Sequence, residues 1–167
     1  KPLTTLYHSN AGNLPYSPDA EEAGRRLLRN TALAYLVALD EPETTALCAA
    51  QYANADNMTD RIAALNLLAD LDRPERTNAL ADFYDTWQHE PIVTDKWLSI
   101  QAMSSRPDTL ENVISLLDHD AFSMRNPNRV RALIGAFCNS NQLHFHAADG
   151  RGYAFLVDQV LRLDPLN

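Results

Sequence analysis

Asn126-Pro-Asn-Arg-Val-Arg-Ala-Leu-Ile-Gly-Ala-Phe-Cys138 is a stretch with a clear helix start and one apolar face. Asn126 suits the N-cap position, where its side chain accepts a backbone hydrogen bond, and Pro127 suits the first helical position, where its missing N–H costs nothing. Apolar side chains then recur at helical spacing, at Val130, Leu133, Ile134 and Phe137. The stretch therefore predicts a helix that packs one face against its neighbours.

Two arginines lie in the first turns of this predicted helix. Arg129 and Arg131 are two residues apart, so their side chains leave the helix in different directions. At most one of them can lie along a neighbouring surface. The other is expected to face water, a partner or a cavity.

Similar helix starts recur along the chain. Ser17 is predicted to cap a long helix that begins with Pro18, and Asp40-Glu-Pro-Glu43 reads as a carboxylate version of the capping box. Further starts are predicted within two residues of Asn57, where either Asn57 or Thr59 can be the cap, at Pro74, at Pro91, over Ser105-Arg-Pro107 and near Arg151. No segment alternates apolar and polar residues in the way a strand does, so the sequence predicts an all-α protein.

The helix starts near Asn57, Pro91 and Pro127 are spaced by roughly 35 residues, and each opens a pair of helices, which is typical of stacked helical-hairpin repeats. We therefore predict a single domain over residues 1–167, folded as a right-handed superhelix of stacked helix pairs, a HEAT/armadillo-like α-solenoid. A globular helical bundle would give similar spacing and stays open as the alternative.

Composition narrows the classes of function. The formal net charge of -8 and the pI near 4.9 argue against nucleic-acid binding, which needs clustered Lys and Arg. No stretch has the roughly 20 apolar residues that span a bilayer, and the first residues lack the apolar run of a signal peptide. The chain has only two cysteines, Cys48 and Cys138, which fits a reducing compartment, and we predict a cytoplasmic protein.

The sequence offers no catalytic motif and no convincing metal site. His89-Glu90 begins like an H-E-x-x-H zinc helix, but Val93 occupies the position of the second His. His144 and His146 could share a metal only with a third ligand such as Asp149, and the alternative is a polar loop whose histidines bond backbone carbonyls. We predict no catalytic residue and no metal ligand in this chain.

Four segments together resemble the C-terminal region of bacterial aminopeptidase N. They are Asn54-Ala-Asp-Asn-Met-Thr-Asp-Arg61, Asp95-Lys-Trp97, Arg125-Asn-Pro-Asn-Arg-Val-Arg-Ala-Leu-Ile-Gly-Ala-Phe137 and Phe145-His-Ala-Ala-Asp-Gly-Arg-Gly-Tyr153. The opening Leu-Tyr-His-Ser-Asn and Arg25-Arg-Leu-Leu-Arg-Asn30 also look like that family. The resemblance covers essentially the whole chain, and both ends are expected to be cut ends of a longer polypeptide.

The resemblance implies a zinc-dependent exopeptidase of the alanyl aminopeptidase type, whose single zinc and catalytic groups lie in preceding domains. This chain would be the non-catalytic helical domain that encloses the active-site cavity and restricts access to peptides. Its partners would be those preceding catalytic domains and the peptide substrates.

Within that resemblance, Arg131 is the main candidate for a residue that lines the substrate cavity, with Arg129 and Asn128 beside it. A guanidinium there could pair with the C-terminal carboxylate of a bound peptide. The alternative role for Arg131 is a structural ion pair between helices. An alternative function for the whole chain is a free-standing helical-repeat scaffold that binds a protein partner.

Overall fold

The computed structural model of the protein describes residues 2–12 and 16–166, and helices without any strand make up its regular structure over those residues. The predicted all-α class is confirmed. The α-helices are α1 Pro2–Ser9, α2 Ala20–Val37, α3 Pro42–Asn54, α4 Met58–Ala69, α5 Pro74–Trp87, α6 Pro91–Ala102, α7 Thr109–Leu116, α8 Pro127–Val130, α9 Ala136–Ser140, α10 Gln142–Phe145 and α11 Arg151–Leu163. A π-helix spans Arg131–Gly135, and a 3-10 turn spans Asp164–Leu166.

The chain divides into two compact units, Lys1–Ala79 and Leu80–Asn167, with the boundary inside α5. In the first unit, α1 packs on α2, α3 packs on α4, and α2 contacts both α3 and α4. The single domain over residues 1–167 and the right hand of its superhelix stay predictions.

In the second unit, α6 packs against α7 and against the helical run of residues 127–140, which consists of α8, the π-helix and α9. We call this run the arginine helix. Beyond it, α10 contacts both α9 and α11. Phe137 on the arginine helix meets Phe145 on α10 and Phe155 on α11 edge to face, with ring centroids 6.2 and 5.5 Å away. These aromatic rings form the apolar centre of this end of the unit.

The three predicted helix starts that define the repeat spacing are confirmed. Asn57 caps α4, where its side-chain oxygen accepts a hydrogen bond from the Asp60 N–H at 2.9 Å. Pro91 opens α6, and Pro127 opens α8 with Asn126 as the N-cap, whose side chain accepts from the Asn128 N–H at 3.0 Å.

Two other predicted helix starts were wrong in detail. The helix assigned to Ser17 and Pro18 begins at Ala20, because the Asp19 carboxylate accepts from the Glu22 N–H at 2.9 Å and takes the N-cap role. That backbone hydrogen bond, together with one from the Ser17 hydroxyl, lowers the pKa of Asp19. The capping box over Asp40–Glu43 does not form, since the N-cap residue is Glu41 and its side chain makes no capping bond.

Asp40 instead has a left-handed backbone, with φ of 52°, and joins α2 to α3. Arg73 holds this turn, since its Nη2 donates to the Asp40 carbonyl at 2.7 Å and to the carboxylate at 2.9 Å. The segment predicted to cap a helix with its carboxylates is therefore a turn at Asp40, which Arg73 holds in place.

The apolar faces of α2 and α11 differ from those that periodicity indicates. On α11 the buried residues are Gly152, Phe155 and Gln159, whereas other apolar residues that recur at helical spacing are about half exposed or more, at Tyr153, Val157, Val160 and Leu161. On α2, Ala32, Leu33, Leu36 and Val37 are buried while Leu27, Leu28 and Tyr35 are exposed. Both helices therefore carry apolar side chains on two sides and bury only one of them.

Candidate functional site

The arginine helix contains an irregular turn that periodicity did not indicate. In a regular α-helix each N–H donates to the carbonyl four residues earlier. Here the Ala136 N–H donates to the Arg131 carbonyl, five residues earlier, and to the Leu133 carbonyl. The helix predicted to start at Pro127 therefore does start there and runs without a break to Ser140, but it has a π turn at its centre. Such turns are often found at functional sites.

Arg129 is fixed to α6. Its Nη1 donates to the Pro91 carbonyl at 2.8 Å and forms an ion pair with Asp95, and its side chain is only 11% exposed. Arg129 therefore anchors the start of the arginine helix to the start of α6, rather than presenting its charge to solvent.

Arg131 and Asn128 are exposed. Arg131 Nη1 lies 3.4 Å from Asn128 Oδ1, at the long limit of a hydrogen bond. Within residues 2–12 and 16–166, no carboxylate oxygen lies within 4.0 Å of the Arg131 guanidinium. The divergence of the two arginines is as predicted, since Arg129 faces α6 and Arg131 faces solvent.

Two residues of α6 that support this site were missed by sequence reasoning. Asp95 binds Arg129, and the Ser99 hydroxyl donates to the Ala132 carbonyl inside the π turn at 2.9 Å. Their four-residue spacing places both on one face of α6, which was the available signal, but neither residue is distinctive without its partner.

The three residues considered for a metal do not meet as ligands. His144 Nε2 lies 3.0 Å from the Ser105 carbonyl, and His146 Nδ1 lies 2.7 Å from the Tyr153 hydroxyl. Across the part of the chain that the structure describes, no group of three or more His, Cys, Asp or Glu side chains could hold a metal ion. The family resemblance implies a zinc held by preceding domains, so no catalytic step is assigned to these residues.

Neither thiol is suited to nucleophilic chemistry at neutral pH. Both cysteines are free, and burial raises the pKa of Cys48 to about 12 and that of Cys138 to about 11. Since the thiolate is the reactive form, both side chains are expected to be inert structural residues.

A concavity of about 420 Å³ lies in the first unit. A hydrogen-bonded network lines it, in which Arg29 contacts the Asp60 carboxylate at 3.5 Å and donates to the Tyr7 hydroxyl at 3.1 Å. Asn30 donates to Asp60 at 2.8 Å and accepts from Gln51 at 2.7 Å. These bonds link α1, α2, α3 and α4, although within the described residues Arg29 Nε and Gln51 Oε1 are buried without a hydrogen-bond partner.

The fold defines the class of protein. Over the described residues it is an all-helical domain, and it presents an exposed arginine on a helix with a π turn. The chain belongs to the family described as "Domain of unknown function (DUF3458_C) ARM repeats", which matches residues 1–167.

Curated relatives with high similarity are bacterial aminopeptidases. The chain is 42% identical over 165 residues to aminopeptidase N of Caulobacter vibrioides and 39% identical over 165 residues to aminopeptidase N of Escherichia coli. Each match covers 99% of this chain and 19% of the relative, so the chain spans about a fifth of the length of these proteins. It corresponds to their C-terminal helical region, as the resemblance predicted.

A solved structure gives the same relationship in three dimensions. The crystal structure of Legionella pneumophila aminopeptidase A in complex with aspartic acid matches with a TM-score of 0.88 and 32% identity, over 99% of this chain and 20% of that one.

No helix in the described ranges is long and apolar enough to cross a membrane.

Proposed function

We propose that this chain is the non-catalytic helical domain of a zinc-dependent aminopeptidase that removes N-terminal residues from peptides. In this role it encloses the active-site cavity and limits access to peptides, while zinc and the catalytic groups come from preceding domains of the same polypeptide. The observation that carries the proposal is sequence identity of 39 to 42% to aminopeptidase N over nearly the whole chain, in a match that covers 19% of that protein. The same similarity favours this role over a free-standing scaffold.

Arg131 is the residue of this chain that we assign to the substrate. Its guanidinium is exposed, and its one hydrogen bond within the described ranges, to Asn128, is long. A peptide bound by its amino end at a catalytic centre extends its C-terminal carboxylate away from that centre. An arginine on the enclosing wall can bind such a carboxylate through two parallel hydrogen bonds. Asn128 lies beside it, and Arg129 holds the helix in place.

The test uses the full-length aminopeptidase that contains this chain, with a short peptide and the same peptide amidated at its C-terminus. Arg131→Ala is expected to raise KM for the free peptide and to leave KM for the amide nearly unchanged, because only the free peptide carries the charge that Arg131 would bind. Arg125→Ala is the matched control, since Arg125 is exposed and precedes the same helix. An equal change for both substrates would rule out the carboxylate role.

For the compartment we propose the cytoplasm. The two cysteines are free, and a chain that keeps unpaired thiols fits a reducing environment. Detection of the enzyme in a cytosolic rather than a periplasmic fraction tests this assignment.

A further inference from the structure

The π turn changes which donors are available to the backbone carbonyls of the arginine helix. The Ala132 carbonyl would accept from the Ala136 N–H in a regular α-helix. Because that N–H is donated to Arg131 and Leu133, Ala132 loses its usual donor. The Ser99 hydroxyl reaches across from α6 and donates to the Ala132 carbonyl at 2.9 Å. Ser99 thus supplies a hydrogen bond to the carbonyl that lost its usual donor within the helix.

Asp95 and Ser99 bind the arginine helix just before and just after Arg131 in the sequence. Asp95 binds Arg129, two residues before Arg131, and Ser99 binds the carbonyl of Ala132, immediately after it. The two α6 residues are four apart and share one helix face. The backbone that carries Arg131 is therefore fixed from one side, while the Arg131 side chain faces solvent on the other.

The environment of Ser99 separates its role from that of Asp95. The Asp95 pair neutralises a charge that is mostly buried, so its loss disturbs the fold as a whole. Ser99 is neutral and half-buried, and its hydroxyl contacts the π turn. We therefore expect a change at Ser99 to act on the π turn without leaving a buried charge unpaired.

We propose that Ser99 is a positioning residue for Arg131: its hydroxyl stabilises the π turn over Arg131–Gly135 and so sets the direction in which the guanidinium meets a peptide carboxylate, a role that depends on the proposed function of Arg131. One hydrogen bond of this kind corresponds to roughly a threefold to tenfold change in an equilibrium constant.

The experiment uses the full-length aminopeptidase that contains this chain, with Ser99→Ala, Ser99→Thr, Arg131→Ala and the double variant of Ser99→Ala with Arg131→Ala. The substrates are a short peptide with a free C-terminal carboxylate and the same peptide amidated. Ser99→Ala is expected to raise KM for the free peptide about threefold to tenfold with unchanged kcat, and to leave KM for the amide unchanged. Ser99→Thr keeps the hydroxyl and is expected to behave as the wild type.

Ser115→Ala is the matched control, because the exposed Ser115 hydroxyl donates to Asn112 within its own helix at 2.8 Å. In the Arg131→Ala background, Ser99→Ala is expected to change KM no further.

Three results would overturn the positioning role. If Arg131→Ala separates the two substrates and Ser99→Ala does not, Ser99 does not position Arg131, and the proposed function of Arg131 stands. If Ser99→Ala affects the amide equally, or still acts when Arg131 is absent, Ser99 works by another route. If Arg131→Ala fails to separate the substrates, the carboxylate role of Arg131 is wrong and the role of Ser99 falls with it.

Discussion

Gly152, in the first turn of α11, is the position where the structure predicts the most severe effect from one added methyl group. A Cβ at this position would lie 2.3 Å from the carbonyl oxygen of Phe145 and 2.7 and 2.8 Å from its Cα and carbonyl carbon. All three are backbone atoms of α10, so no side-chain rotation relieves the contact. Gly152 therefore allows α11 to approach the end of α10 more closely than any other residue would.

The expected cost of Gly152→Ala follows from this geometry. Ordinary contacts of a Cβ begin near 3.4 Å, so α10 and α11 would have to separate by about 1 Å. The separation would also loosen Phe145 and Phe155 from Phe137, with which both rings now make edge-to-face contacts. Overpacking of a buried site typically costs 1 to 3 kcal/mol. Because rigid backbone is involved, we expect about 2 to 3 kcal/mol, or a melting temperature lower by roughly 4 to 12 °C.

Urea unfolding followed by tryptophan fluorescence measures this cost, since both tryptophans, Trp87 and Trp97, lie in the second unit together with Gly152. Gly135→Ala is the matched control. A Cβ there would meet its nearest neighbours at 3.8 Å, so this variant should be unchanged or more stable by up to about 1 kcal/mol. If Gly152→Ala unfolds within about 0.5 kcal/mol of the wild type, the close approach of the two helices is not a constraint on the fold.

Three further predictions concern charge and thiols. Arg129→Ala is expected to destabilise the second unit by about 1.5 to 3 kcal/mol because it removes the bonds to α6, whereas Arg131→Ala should stay within about 0.5 kcal/mol; equal urea midpoints for the two variants would contradict this. A thiol reagent at pH 8 should modify Cys138 before Cys48, because burial raises their pKa values to about 11 and about 12, and mass spectrometry of timed samples gives the order. The hydrogen bond from the Arg151 side chain lowers the pKa of Glu111 below its ordinary value of 4.5. The stability that this bond contributes should therefore be lost as the pH falls below 4.5 and Glu111 takes up a proton, and Glu111→Gln should flatten the pH dependence of the melting temperature there.

Helix starts were predictable where one side chain meets the local geometric requirement. Asn57 and Asn126 each supply a capping oxygen, and Pro91 and Pro127 each tolerate a position without a backbone donor. Ser17 failed because Asp19 offers the same chemistry two residues later, nearer to the first free N–H groups. Competition between adjacent capping residues is decided by backbone conformation, which the sequence does not display.

Burial follows helical spacing on some helices and departs from it on others. On α7, Leu110, Val113 and Leu116 recur at helical spacing and are buried, although Ile114 on the same helix is 45% exposed. On α11, Phe155 is buried whereas the longer run through Val157 and Leu161 is exposed, because apolar residues occupy more than one side of that helix. Periodicity shows which residues share a face, but contacts decide which face is covered.

The candidate site shows the same division. The divergence of Arg129 and Arg131 follows from their offset along a helix, and the exposure of one of them was expected. The partners of the site were not, because Asp95 and Ser99 lie more than thirty residues earlier in the chain and meet the arginine helix only through packing. The π turn was not predictable either. It spans only five residues, and the spacing of apolar residues does not distinguish so short a π segment from a regular α-helix.

The π turn also bears on how this domain can vary among its relatives. A π turn accommodates one residue more than a regular helix, so loss of a single residue between Arg131 and Gly135 would restore an α-helix and leave the faces on either side of it in nearly the same relative direction. The carbonyl that Ser99 now binds would then regain a donor within its own helix. A one-residue gap at this point in a sequence alignment is therefore the mark to expect in a relative whose helix is regular here and needs no hydroxyl from α6.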